Sequence, residues 1–109
     1  MGRHDALQGS LPLLVLKILD ARGPLHGYGL TSQIEGMSND VLSVEQGSLY
    51  PALHRMEEEG WIQAEWVVTE NKRKARSYRI TPTGRDYLGK EETRWKAVTA
   101  AVSHILRHA

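Results

Sequence analysis

At Gly60 the hydrophobic pattern of this chain changes period, and that change limits the available folds more than any other feature. Before it, in residues 45–62 (EQGSLYPALHRMEEEGWI), Leu49, Ala52, Leu53 and Met56 recur at the i, i+3, i+4, i+7 steps of a buried helical stripe. After it, Ile62, Ala64, Trp66 and Val68 alternate along one face, and Tyr78 and Ile80 return on a second strand. The segment TENKRKAR between them is too polar to bury and is read as the turn. A helix that runs straight into a two-stranded hairpin is the mark of a small, mostly α domain carrying a β-hairpin wing.

The helix is polarised. Its outer face carries Gln46, Gly47, Tyr50, His54 and Arg55, with Ser48 in the first turn, while Glu57, Glu58 and Glu59 crowd the far end. Such a helix can meet phosphates with its N-terminal N–H groups and dipole and keep its carboxylates away from them. Gly60 is expected to stop it. Pro51 removes one backbone bond and crowds the carbonyl of Gly47. Either Gly47 tolerates that crowding, or regular helix begins only near Tyr50 with Pro51 in its first turn.

Before this helix, Ser10 reads as an N-cap and Pro12 as a first-turn proline of an almost wholly apolar helix that halts at Gly23 and Pro24, the central buried helix of the domain. Residues 1–8 are a loose arm or an extra turn. The segment PLHGYGLTSQIEGMS carries Leu30, Ile34 and Met37 at helical spacing and is the first helix of a helix-turn-helix. Gly27 and Gly29 weaken its start by roughly 1 kcal/mol each. They serve close packing against the preceding helix or a phosphate contact. Ser38, Asn39 and Asp40 supply turn chemistry, after which Val41, Leu42 and Val44 tuck beneath the core.

The hairpin tip holds Lys72, Arg73 and Lys74, followed by Arg76 and Arg79, against the single acid Glu70. Solubility alone can explain cationic residues on a hairpin. In a chain of net charge +1, however, general attraction to polyanions is weak, and a local cluster directly after a polarised helix points to contact with DNA. Beyond Thr81 or Thr83, either of which can cap, Leu88, Glu91, Trp95, Val98, Val102 and Ile105 step by 3, 4, 3, 4, 3 along one long helix. A domain of 109 residues has too little surface to cover that stripe, so the natural partner is a second copy.

Other chemistry finds little support. No cysteine is present, which excludes disulfides and thiolate catalysis and fits a reducing, cytoplasmic setting. The longest apolar run, residues 11–16, is too short to cross a bilayer, and no signal peptide is expected. His104 and His108 stand at i, i+4 but without a third ligand, so no metal is expected. No nucleophile stands beside a base, so neither an enzyme nor a cofactor is expected.

The motifs GSLYPALHRMEEEGWI, PLHGYGLTSQI and RSYRITPTGRDYL occur in an order that resembles the short members of the PadR family of bacterial transcriptional regulators, over nearly the whole chain. The resemblance implies a winged helix-turn-helix, a homodimer held by the C-terminal helix, and repression of a promoter relieved by a small molecule. Residues 1–82 would form the DNA-binding domain and residues 83–109 the dimerisation helix. Gln46 and His54 are candidates for base edges, and Ser48, Tyr50 and Arg55 for phosphates, with Gly47 beside them. Lys72, Arg73, Lys74 and Arg76 would reach a flanking minor groove. Leu88, Trp95, Val98, Val102 and Ile105 would form the dimer seam, where Trp95 either fills the interface or frames a slot for a planar aromatic effector. The competing expectation is a winged-helix module that binds an acidic protein and not DNA.

Overall fold

The computed structural model describes residues 3–109, with side chains from Ser10 onward. Four helices and three short strands follow in the order α1 (Arg3–Arg22), β1 (Leu25–His26), α2 (Gly27–Met37), α3 (Gln46–Glu58), β2 (Ile62–Val68), β3 (Lys74–Ile80) and α4 (Pro82–His108). This is the mostly helical fold with a small antiparallel sheet that the change of period implies.

Helix α1 lies at the centre. Leu11, Val15, Leu16, Ile18 and Leu19 are buried, and the helix touches α2, α3, α4 and β3. Its start differs from expectation, because helix is continuous from Arg3 and Ser10 does not cap it. Pro12 therefore sits in the interior, at the cost of one backbone bond, while Leu11 and Val15 on either side are anchored in the core. Gly23, at φ +83°, ends the helix, its N–H donating to the Leu19 carbonyl at 3.0 Å.

The sheet has a third strand that alternation did not disclose. Leu25 and His26 pair with Tyr78 and Ser77, giving the order β1-β3-β2. Two residues are too few to register a period, and the pairing depends on chain more than fifty positions away. Helix α2 buries Gly27, Leu30, Thr31 and Ile34. Met37, expected on that stripe, is 54% exposed. The turn that follows bends through Asn39 (φ 52°) and Asp40 (φ 63°). Ser38 Oγ accepts from the Leu42 N–H there at 3.0 Å. Of the connector expected beneath the core, Val44 is buried and Leu42 partly so, but Val41 is exposed.

Helix α3 is regular from Gln46, which resolves the Pro51 alternatives in favour of an internal proline. A Cβ built on Gly47 would meet nothing within 4 Å, so the space around the helix start is open. Leu49, Ala52, Leu53 and Met56 are buried as the spacing requires. Gly60 (φ +80°) stops the helix, and the Trp61 N–H bonds the Met56 carbonyl at 3.0 Å.

Thr81 joins three elements. Its Oγ1 accepts from the Gly84 N–H at 3.0 Å as the cap of α4 and donates to the Gly60 carbonyl at 2.6 Å. Its own N–H bonds the Trp61 carbonyl at 3.0 Å. The Trp61 and Tyr87 rings stack at 3.8 Å and 14°. Lys17–Glu92 (3.2 Å) and Arg85–Asp20 (3.0 Å) tie α4 to α1. From Thr93 onward every residue of α4 is exposed.

Candidate nucleic-acid interface

The outer face of α3 presents the residues that the sequence assigned to it. Gln46, Gly47, Tyr50, His54 and Arg55 are all exposed, and Ser48 is intermediate. The first turn contains no acid, and the N-cap residue Glu45 makes no side-chain bond to the helix. The carboxylate of Glu45 is thus the one acid beside the positive end of the dipole. At the opposite end, Glu58 Oε2 lies 3.6 Å from His54 Nε2. Glu57 turns toward the sheet.

The wing is shorter at its tip than the polar segment suggested. The turn occupies residues 69–73, closed by Lys72 N–H to Thr69 carbonyl (2.9 Å) and Thr69 N–H to Arg73 carbonyl (2.8 Å), with Lys72 at φ 59°. This is a turn followed by one left-handed residue, the usual three-residue hairpin loop. Lys74 and Arg76 consequently stand in β3 and not in the loop. Their register partners are Val68 and Trp66. Among the described residues no acid pairs with Lys72, Arg73 or Lys74. Arg76 differs, because its Nη2 donates to Glu57 Oε1 at 3.1 Å and its guanidinium lies 5.7 Å from the Trp66 ring centroid.

Between α3 and the wing runs an open groove of about 520 Å³, walled by Tyr50, His54 and Glu57 on one side and Trp66, Lys74 and Arg76 on the other. His26, Gly27 and Tyr28 also line it, as does the buried Tyr78. Burial pushes the Tyr78 hydroxyl above its ordinary pKa, and the neighbouring Arg76 pulls in the opposite direction.

Two groove residues escaped the sequence reading. Tyr28 is 70% exposed, and Trp66, which alternation put on one face with Ile62 and Ala64, is 66% exposed. That face of the hairpin runs past the end of the core, so Ile62 and Ala64 pack inward while Trp66 and Val68 continue the same alternation over solvent. The role of Gly27 also becomes clear. A Cβ there would meet the Tyr50 ring, with Cζ at 2.8 Å, so its close neighbour is α3 and not the preceding helix.

The expected seam on α4 divides in two. Leu88 is 4% exposed and belongs to the core of its own chain, since the foot of α4 lies on the domain. Trp95, Val98, Val102 and Ile105 are exposed, joined by Leu106, which the stepped stripe omitted. Glu91, the polar interruption of that stripe, pairs with Arg94 of the same chain at 2.8 Å. The His104 and His108 rings lie 4.3 Å apart. Among the described residues no cluster of three metal-ligating side chains occurs, and no helix is long and apolar enough to cross a membrane.

Comparison with known proteins agrees with this architecture. Residues 15–90 match the model of the transcriptional regulator PadR-like family. A transcriptional regulator of Mycobacterium tuberculosis is 40% identical over 68 residues, covering 62% of this chain and 60% of that protein. A PadR-like transcriptional regulator of Bacillus cereus superposes with a TM-score of 0.81 at 27% identity, over 96% of this chain and 99% of the other. A transcriptional regulator of Clostridium thermocellum gives 0.83 at 25% identity, over 92% and 96%. With the family model spanning most of the chain and the winged-helix fold matched almost end to end, this protein belongs to the PadR-like family of transcriptional regulators.

Proposed function

We propose that this regulator acts as a homodimeric repressor that binds a pseudo-palindromic operator and is released by a small ligand. The observation that carries the reading is the shared groove, lined by Tyr50 and His54 from α3 and by Lys74 and Arg76 from the wing. In this reading Gln46 and His54 meet base edges in the major groove, while Ser48, Tyr50 and Arg55 hold phosphates. Lys72, Arg73 and Lys74 reach the adjacent minor groove. The intervening sugar-phosphate strand passes over the groove, beside Tyr28.

The uncovered face of α4 supports a two-fold dimer through Trp95, Val98, Val102 and Ile105. Half-sites would then lie about one helical turn apart. Trp95, 48% exposed on that face, is the candidate contact for a planar aromatic effector.

The test uses a duplex retained by the protein from a random-sequence pool. Arg73→Ala is expected to weaken binding to all duplexes and to reduce the magnitude of the log K versus log[salt] slope by roughly 1. An unchanged slope would remove Arg73 from the interface, and failure to retain any duplex would overturn the DNA reading as a whole.

A further inference from the structure

Among the described residues, one salt bridge joins α3 to the sheet, between Glu57 and Arg76. The backbone of α3 packs along β2, whereas Arg76 belongs to β3, so this pair reaches across the groove to the second strand of the wing. The guanidinium is held on more than one side. It donates to Glu57 Oε1 at 3.1 Å, and its carbon lies 5.7 Å from the Trp66 ring and 5.9 Å from that of Tyr78. Trp66 is also its register partner on β2, and Tyr78 is fixed in the core. The Glu57 side chain is only 20% exposed, against 41% for Arg76.

Two consequences follow from charge. A carboxylate left alone in the wall of a groove that meets phosphates would repel them, and Arg76 neutralises it. A guanidinium already engaged with a carboxylate and an aromatic face is a poor phosphate ligand, since reaching a phosphate would strip both partners away. We propose that Arg76 is a positioning residue: through Glu57, Trp66 and Tyr78 it clasps the wing to the recognition helix and fixes the spacing between the two DNA-reading elements, without touching DNA itself. The proposal rests on the DNA-binding reading and reverses the role that the sequence suggested for this arginine.

Direct contact and clasp predict opposite signs for Glu57→Gln. If Arg76 touched phosphate, losing the nearby carboxylate would tighten binding. If it acts as the clasp, binding to the retained duplex weakens by about two- to fivefold once salt screens the charge gained by losing the carboxylate, the size expected of a partly exposed pair. The double variant Glu57→Gln with Arg76→Gln, which leaves the net charge of the groove unchanged, should weaken binding similarly without changing the salt slope. The swap Glu57→Arg with Arg76→Glu should restore only part of it, since a carboxylate at position 76 regains the ion pair but not the contacts with Trp66 and Tyr78. Tighter or unchanged binding by Glu57→Gln at that salt, or a slope reduced by about 1 in the charge-neutral double variant, overturns the proposal. Amide hydrogen exchange along residues 66–76, measured without DNA, separates the two readings. It should accelerate in each single variant and recover in part in the swap. Wild-type protein that retains no duplex would sink the DNA reading while these exchange rates still decided the clasp, and no acceleration in Glu57→Gln would overturn it.

Discussion

Thr81→Val replaces one hydroxyl by a methyl of nearly the same shape and removes two hydrogen bonds. The cap to the Gly84 N–H (3.0 Å) and the bond to the Gly60 carbonyl (2.6 Å) both disappear, while the Thr81 backbone bond to Trp61 remains. An N-cap contributes about 1 kcal/mol, and a second neutral bond about 1 kcal/mol more, so the loss should be about 2 kcal/mol. At an unfolding entropy of about 2.1 cal/mol/K per residue, that corresponds to a fall in Tm of roughly 9 °C for a chain of this size. Calorimetry at one fixed protein concentration reads the shift, since any association would add its own contribution. Thr81→Ser keeps both bonds and should lose no more than about 3 °C, the equivalent of one partly buried methyl. A valine variant that melts within about 3 °C of wild type, or no higher for serine than for valine, would refute the assignment of Thr81 as the joint between α3, β2 and α4.

Two glycine substitutions should separate packing from function. Gly84→Ala drives a Cβ against the Trp61 backbone, with its carbonyl carbon at 2.9 Å, and should cost about 1–3 kcal/mol by thermal denaturation. Gly27→Ala meets instead the outer end of the partly exposed Tyr50 ring, which can swing away, so Tm should move little while affinity for the retained duplex falls. Val98→Glu places a charge on the uncovered face of α4 and, on the proposed two-fold dimer, should give a monomer by sedimentation and abolish binding to the retained duplex; a dimeric variant would contradict the seam. Raising pH above about 10 should destabilise the protein, because unfolded tyrosines then lose protons that Tyr78 retains in the fold. Comparing Tm between pH 9 and 11 in wild type and Tyr78→Phe isolates that part, which should be absent in the variant.

Elements whose residues carry their own period were legible in the sequence. The stripe of α3, its stop at Gly60, the hairpin and the long α4 all follow from spacing or from one glycine. β1 was not legible, because its two residues become a strand only when β3 arrives beside them. The buried or exposed fate of Met37, Trp66 and Leu88 depends on where the core ends, which periodicity does not encode. The engagement of Arg76 was hidden for a related reason. Glu57 stands nineteen positions away on another element, and composition alone assigned the arginine to the basic tip. The groove likewise exists only once α2, α3 and the wing have come together.

The seat of Gly84 on the Trp61 carbonyl, with the ring stack beside it, makes the foot of α4 a fulcrum mounted on the turn that leaves α3. The helix has 27 residues, about 40 Å of rod at about 1.5 Å per residue. A pivot of about 5° at the foot would sweep its free end through about 3.5 Å, and Trp95, near mid-length, through about half of that. At mid-rod a given rotation takes about half the travel, and about twice the force, that it takes at the tip.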